Sequence, residues 1–196
     1  MLRNAALDIV ENVWPMIFIT SIIVVSLRIT YLLKFKKNFV LYKELLSFSF
    51  VIYVICLFYV VTFQDVTWST SNFVPFKEIT RYEFLSDLFI KNVFGNILIF
   101  MPFGFLTSYF LELKKPLIVF ILSIVTSLSI EYTQLIIGRV FDIDDIILNI
   151  VGGLIGFLFY KFIIYISDRL PRCLRSNWFC NIIVIIFLSL MIMYFY

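Results

Sequence analysis

Polar side chains recur at helical spacing inside three otherwise apolar stretches of this 196-residue chain. They come in pairs, which are Asn92 with Asn96, Glu131 with Gln134, and Asp145 with Asn149. Residues three or four positions apart share one face of a helix. Polar groups inside a membrane are costly and usually face neighbouring helices. The spacing therefore predicts three polar helix faces that turn towards one another.

The turn between the second and third stretches carries one arginine and three aspartates. Because an α-helix rises ~1.5 Å per residue, Asn96, Glu131 and Asn149 each lie within roughly 6–10 Å of the helix ends beside this turn. We therefore expect one polar pocket just beneath the lipid head groups. Its candidate ligand-binding residues are Asn92, Asn96, Glu131, Gln134, Arg139, Asp142, Asp144, Asp145 and Asn149.

Glu131 is the candidate that simple helix packing explains least well. Asparagine and serine commonly hydrogen-bond across membrane helices, at about 0.6–2 kcal/mol each. For the asparagines and serines of this chain, a structural role in helix packing is therefore the favoured interpretation. A carboxylate below the membrane surface must pair with a cation or take up a proton. Since Arg139 follows at the end of the same helix, a structural ion pair and a functional role explain Glu131 equally well.

The aspartates of the turn also allow a catalytic interpretation. Asp142, Asp144 and Asp145 could hold Mg²⁺ against a phosphate, because this cation prefers oxygen ligands. Glu131 could then act as general acid or base, and Arg139 could bind the phosphate. The spacing D-x-D-D-x-x-x-N is only loosely similar to metal–pyrophosphate motifs, and a solvated turn fits it equally well. Apart from this possible Mg²⁺, no cofactor is expected.

The composition is that of a membrane protein. The residues are 62% hydrophobic and 15% charged, whereas soluble domains are near half apolar and a quarter charged. A spanning helix needs about 20 apolar residues. The chain is therefore predicted to be all-α, a polytopic transmembrane helical bundle of about five to six spans. The qualifying stretches are 13–33, 45–63, 92–113, 116–137, 146–166 and 178–196.

What the chain lacks excludes several functions. It contains no histidine, which removes Ser-His-Asp catalysis, histidine metal ligation and histidine-based pH sensing. Its three cysteines form no CxxC pair and no zinc spacing. The net charge of +3 is too small for a nucleic-acid-binding surface. The expected partner is membrane lipid, and no nucleic-acid partner is expected.

The cationic residues predict the orientation of the bundle. One side carries ten of them and the other five, so the positive-inside rule places the richer side in the cytoplasm and both termini outside. The pocket then faces outwards, beneath a loop at 64–91 whose Trp68, Phe73, Phe76 and Phe84 are expected to fold against the membrane surface. The ten are Lys34, Lys36, Lys37, Lys43, Lys114, Lys115, Lys161, Arg169, Arg172 and Arg175, and the five are Arg3, Lys77, Arg81, Lys91 and Arg139.

The chain shows no internal repeat and no Gly/Ser linker, so one compact bundle is expected. We divide it into an N-terminal membrane helix with a basic cytoplasmic loop at 1–44, a membrane domain at 45–166, and a basic loop with a C-terminal hydrophobic helix at 167–196. That last helix could span the membrane or lie at its interface. In the membrane domain, Gly152 and Gly156 form a GxxxG face beside Gly153, which favours close helix approach.

Four motifs of the membrane domain resemble the VanZ-like family of bacterial membrane proteins, in that family's order and separation. They span roughly residues 53–160 and are NFVPF at Asn72–Phe76, NVFGNILIFMPFGF at Asn92–Phe105, SIEYTQ at Ser129–Gln134 and GRVFDIDDIILNIVGGLIG at Gly138–Gly156. The resemblance implies that the family's motif residues correspond to the nine candidates above. Named members are associated with low-level resistance to the glycopeptide teicoplanin.

Two functions follow from these observations. In the first, a non-catalytic bacterial cell-membrane protein uses the pocket to engage a teicoplanin-type lipoglycopeptide antibiotic or a polyprenyl-linked wall precursor. In the second, an intramembrane Mg²⁺-assisted enzyme acts on a polyprenyl or phospholipid head group. The first is favoured, because the resemblance and the aromatic residues around the pocket agree with it.

Overall fold

The structure, a computed structural model, describes residues 2–36, 38–63, 71–84 and 86–195. Trp68 therefore lies outside the described residues. The helices are α1 (Leu2–Phe35), α2 (Leu41–Phe63), α3 (Asp87–Phe110), α4 (Leu117–Ile136), α5 (Ile143–Arg169) and α6 (Asn177–Phe195). Five of them, α1 to α5, contain segments long and apolar enough to cross a bilayer. The prediction of an all-α bundle with about five to six spans is confirmed, and the chain is a multi-pass membrane protein.

The start of α3 differs from the predicted helix bounds. The hydropathy pattern begins this helix at Asn92, whereas the structure begins it at Asp87. Ser86 caps the helix, because its Oγ accepts a hydrogen bond from the backbone N–H of Phe89 at 3.2 Å. Residues Ile90–Phe94 then form a π-helical turn. Ser86, Asp87 and Lys91 lower the local hydropathy, so an apolar window starts the helix too late.

Helices α3 and α5 touch backbone to backbone through glycines. A Cβ atom added to Gly104 of α3 would overlap the backbone of Gly153. One added to Gly152 or Gly156 would overlap carbonyl oxygens of α3. The close helix approach predicted for the GxxxG face is confirmed. Such contact stabilises membrane helices by van der Waals packing, because lipid is as apolar as the side chains it replaces.

The two ends of the α3–α4–α5 assembly differ in chemistry. Where α3 leads into α4, a cluster of apolar side chains is buried, and it consists of Leu113, Val119, Phe157 and Tyr160, with Phe105 and Tyr109 packed against them. Where α4 leads into α5, the buried side chains include the polar residues Glu131, Asp144 and Asn149. We call these the apolar end and the polar end.

The chain divides into two compact units, of which Val60–Tyr165 contains both of these ends. The other unit consists of Met1–Tyr59 with Ile166–Tyr196. Within that second unit, Arg28 and Glu44 form an ion pair with an N–O distance of 2.6 Å. The three-part division of the chain made from the sequence stays a prediction.

Candidate functional site

The turn between α4 and α5 is tied to the segment that precedes α3. Asn72 and Asp142 form an isolated parallel β-bridge. The N–H of Asn72 donates to the carbonyl oxygen of Phe141 at 2.8 Å, and the N–H of Ile143 donates to that of Asn72 at 3.1 Å. The Asn72 side-chain amide also donates to Asp142 Oδ1 at 3.0 Å. Two connections far apart in sequence therefore form one wall of the polar end.

Asp144 anchors the same segment from the first turn of α5. Its Oδ2 accepts hydrogen bonds from the N–H groups of Glu78 at 2.7 Å and Ile79 at 3.3 Å, and its Oδ1 accepts one from the N–H of Phe76. Only 1% of Asp144 is exposed. Phe76 has φ of 66°, a conformation that costs a non-glycine residue ~1–3 kcal/mol. The bonds to Asp144 offset this strain.

Glu131 lies beneath the turn and is bound by backbone. Gly138, at φ of 84°, helps to reverse the chain after α4, and the N–H of Asp142 donates to Glu131 Oε2 at 2.8 Å. Arg139 lies within electrostatic range of Glu131. The structure thus shows a backbone contact for Glu131, and the ion pair with Arg139 considered from the sequence stays a prediction.

Side-chain amides join α3, α4 and α5 at this end. The amide of Asn96 in α3 donates to Asp145 Oδ1 in α5. The amide of Asn149 in α5 donates to Ser127 Oγ in α4 at 2.8 Å. Such contacts contribute about 0.6–2 kcal/mol each inside membranes and fix the register of neighbouring helices.

Asn92 lies in the π-helical turn of α3 and contacts the segment before that helix. Its side chain hydrogen-bonds to the hydroxyl of Tyr82, and burial raises the pKa of Tyr82 above its ordinary value of 10.0. π-helical turns are rare and often occur at functional sites. This turn presents Asn92 towards the same wall that Asn72 and Asp144 hold in place.

Two cavities lie at the polar end. The larger is a cleft of about 320 Å³ between the segment before α3, the start of α3 and the α4–α5 turn, which is at the small end of the range for ligand sites. The smaller, about 50 Å³, lies among α3, α4 and α5. The residues that line both are Asn96, Ile99, Arg139 and Asp145.

All nine residues proposed from the sequence line these cavities. Three line only the cleft, three line only the small cavity, and three line both. In that order they are Asn92, Asp142 and Asp144; Glu131, Gln134 and Asn149; and Asn96, Arg139 and Asp145. Glu131 is buried beside Asn96 and Asn149 and does not face lipid, so the three helix faces converge as the spacing predicts.

Sequence reasoning missed several polar residues that line the cleft, which are Asn72, Glu78, Arg81, Tyr82 and Lys91. Most of them precede α3, in a segment without helical periodicity, so spacing could not identify them. The one available signal was the NFVPF motif, which begins at Asn72. Arg81 and Lys91 were considered only as loop cations.

Charges of both signs line the cleft. The cations are Arg81, Lys91 and Arg139, from three different elements, and the carboxylates are Glu78, Asp142, Asp144 and Asp145. The Asp144 oxygens are engaged by backbone N–H groups, and Glu78 pairs with Arg81 at 3.2 Å. Burial raises the pKa of Asp142 above its ordinary value of 3.8. The arrangement suits a polar ligand that has both an anionic group and hydrogen-bonding groups.

The three aspartates of the turn contact different partners. Asp144 binds the backbone at residues 76–79, whereas Asp145 binds Asn96. Successive residues on a helix point ~100° apart, which explains the divergence. Within the part of the chain that the structure describes, no group of three or more acidic, cysteine or histidine side chains could hold a metal ion. The geometry does not support the Mg²⁺ site considered for Asp142, Asp144 and Asp145.

Comparison with models of known protein families matches residues 50–165 to the family described as VanZ/LLP1. The match covers more than half of the chain and includes every residue that lines the two cavities. Neither the curated proteins nor the solved structures compared with the chain gave a match. The family match agrees with the resemblance found in the four motifs.

Proposed function

The chain belongs to the VanZ/LLP1 family, and on that premise we propose that it is a non-catalytic protein whose cleft binds the head group of a membrane-anchored envelope molecule. Two molecules fit the proposal, a lipoglycopeptide antibiotic of the teicoplanin type and a polyprenyl-linked wall precursor. Each has a lipid chain that stays in the bilayer and a polar head. Binding of either molecule would change how the antibiotic interacts with the cell envelope.

The observation that carries the proposal is the convergence of hydrogen-bonding and charged groups at one end of three spans. Asn92, Asn96 and Asp145 line a cleft of about 320 Å³, which can hold part of a head group. The distribution of lysine and arginine favours an extracytoplasmic cleft. Both candidate molecules are exposed on that side of the membrane.

The cations of the cleft supply the affinity for an anionic group of the ligand. Lys91 and Arg81 are exposed, so they can meet a phosphate or carboxylate without the cost of burying a charge. The acids nearby are partly engaged within the protein, since Asp144 binds backbone and Asp145 binds Asn96. Asn92 adds a side-chain amide, which suits sugar hydroxyls or peptide groups.

Antibiotic susceptibility tests the proposal directly. Overproduction should lower susceptibility to teicoplanin and have less effect on a glycopeptide without an acyl chain, because only the former is anchored in the membrane. The double substitution Arg81→Gln with Lys91→Gln should remove the effect at unchanged protein abundance. Lys114→Gln with Lys115→Gln is the matched control, because these exposed lysines lie between α3 and α4, away from the cleft. Unchanged teicoplanin susceptibility with abundant protein would exclude the antibiotic and leave the wall precursor.

A second pair of variants separates a binding site from a structural one. Glu131→Gln and Asp145→Asn remove charge while keeping side-chain shape, and Glu112→Gln is a control on an exposed carboxylate. Loss of the phenotype at normal abundance would assign the residue to the site, whereas loss of the protein would assign it to the fold. Turnover of a labelled polyprenyl lipid by purified protein with Mg²⁺ would replace the non-catalytic proposal by the enzymatic one.

A further inference from the structure

The segment before α3 displays an unusual number of large apolar side chains. Four of its described residues are more than half exposed, which are Phe73 at 68%, Val74 at 59%, Phe76 at 57% and Phe84 at 77%, and Leu88 in the first turn of α3 follows at 58%. In a water-soluble loop such residues would be costly. Here they lie between two helices that are long and apolar enough to cross a membrane.

Local structure holds these side chains outwards. Phe76 adopts a left-handed backbone conformation, and its N–H is fixed by Asp144. Phe73 stacks on Phe141 of the α4–α5 turn, with ring centroids 5.2 Å apart. A strained backbone conformation at a non-glycine residue indicates a specific role for the conformation. The visible result is an aromatic ring presented to the outside.

The exposed surface of the segment continues onto the lipid-facing surface of α3. Phe84 packs edge-to-face on Phe89 at 5.4 Å, and Phe89 packs in the same way on Phe94 at 5.8 Å. Phe94 is 42% exposed on the first part of the span. The three rings therefore form one row that leads from the span onto the segment.

Both ends of the segment are tied at the level of the membrane surface. Helix α3 has 24 residues from Asp87 to Phe110, or ~36 Å at 1.5 Å per residue, against ~30 Å of hydrocarbon. The charged residues Asp87 and Lys91 indicate that the excess is at the first turn, in the head-group layer. At the other end, the bond from the Asn72 N–H to Phe141 holds the segment to the short turn between two spans. The segment cannot extend into bulk water.

We propose that residues 71–84 and 86–88 form a membrane-interfacial anchor that inserts Phe73, Phe76 and Phe84 between the lipid head groups and the acyl chains. Aromatic residues favour this layer. The cations Lys77 and Arg81 of the segment complement anionic head groups. The partner is the lipid surface itself, so this inference holds whether or not the cleft binds the ligand proposed above.

Tryptophan fluorescence in vesicles tests the anchor. The full chain is first freed of its three tryptophans by Trp14→Phe, Trp68→Phe and Trp178→Phe. Phe84→Trp and Phe76→Trp are then added one at a time, and the proteins are placed in phosphatidylcholine–phosphatidylglycerol vesicles with bromine on the upper acyl chain. Both probes should lose emission to the brominated lipid, at about half or more of the loss seen for a lipid reference.

Two reference positions make the result decisive. Leu98→Trp probes an exposed position inside the α3 span, and Lys115→Trp probes an exposed position between α3 and α4. The anchor would be overturned if the probes at positions 76 and 84 kept their emission beside brominated lipid, as Lys115→Trp is expected to do, and lost it to a water-soluble quencher. It would also be overturned by probes protected from both quenchers, which would place a protein partner or a second copy on this face. A variant that fails to give monodisperse protein is replaced by Phe73→Trp.

Discussion

The two ends of the α3–α4–α5 assembly use different interactions to hold the same three helices. At the apolar end, Val119 and Phe157 fill space beside Leu113 and Tyr160. At the polar end, Glu131, Asp144 and Asn149 are equally buried, and each makes a hydrogen bond. In a membrane, apolar packing does little to determine which helices contact each other, because lipid competes for the same contacts. The polar end must therefore supply most of the specificity of assembly.

The largest effect is expected at the glycine contact between α3 and α5, because a change there separates two helices that contribute to both ends. Gly104→Val places side-chain atoms into the backbone of Gly153, so α3 and α5 must separate, at a cost of about 3–5 kcal/mol. Thermal unfolding in detergent measures it. Gly95→Ala is the control in the same helix, since nothing lies within 4 Å of the added methyl, and it should be neutral or stabilising by up to about 1 kcal/mol. Similar melting temperatures for both variants would contradict the close contact.

Asp144→Ala should disturb the polar end alone. Three backbone N–H groups lose their acceptor, which should cost about 2–3 kcal/mol. Limited proteolysis should also cut faster within 71–84, because the carboxylate that holds this segment has been removed. Asp168→Ala, at an exposed ion pair with Arg175, should cost less than about 1 kcal/mol. Equal effects of the two aspartate changes would show that the segment is held by something other than this carboxylate.

A smaller contrast compares two buried serines of α4. Ser127 accepts a hydrogen bond from Asn149 at 2.8 Å, whereas the hydroxyl of Ser123 is buried without a partner among the described residues. Ser127→Ala should cost about 1 kcal/mol. Ser123→Ala should be neutral or slightly stabilising, because it removes an unsatisfied polar group. Equal destabilisation by both changes, measured by thermal unfolding, would mean that the hydroxyl of Ser123 finds a partner.

The smallest expected effect is a dependence on pH at Asp142. Burial raises the pKa of this side chain above 3.8, so the folded state binds its proton more tightly than the unfolded state does. The resulting stability is complete below the unfolded pKa and is lost as pH rises through the raised pKa. Asp142→Asn keeps an acceptor for the Asn72 amide but cannot titrate. The melting temperature of wild type relative to this variant should fall as pH increases from about 4; parallel profiles would contradict it.

The residues of the polar end could be predicted from spacing, but their partners could not. Glu131 and Asn149 are buried and Asn96 is half-buried on polar helix faces, and periodicity alone brings such faces together. Whether Asp145 of α5 meets Asn96 or Asn92 of α3 depends on the relative shift of these two helices. That shift is set by glycine contacts between α3 and α5, and a sequence pattern does not show it.

Asn72 and Asp144 illustrate what spacing cannot find. Asn72 is in a non-helical segment, and its role arises from a bridge to a residue 70 positions later. Asp144 was grouped with its acidic neighbours as a possible ligand, yet the fold uses it to bind three backbone N–H groups. The helix type and number followed from composition, whereas the wall of the cleft depends on long-range contacts.

The π-helical turn at Ile90–Phe94 has a consequence for how such a protein could change over generations. This turn holds one more residue than an α-helical turn. Deleting Phe94 would restore regular helix and rotate all that precedes it by ~100° about the axis. Asn92 would no longer face the cleft, whereas Asn96 and the glycine contacts between α3 and α5 would stay in place. Loss of a single codon could thus change which ligand groups the entrance of the cleft binds, while the contacts at the base of the cleft stay unchanged.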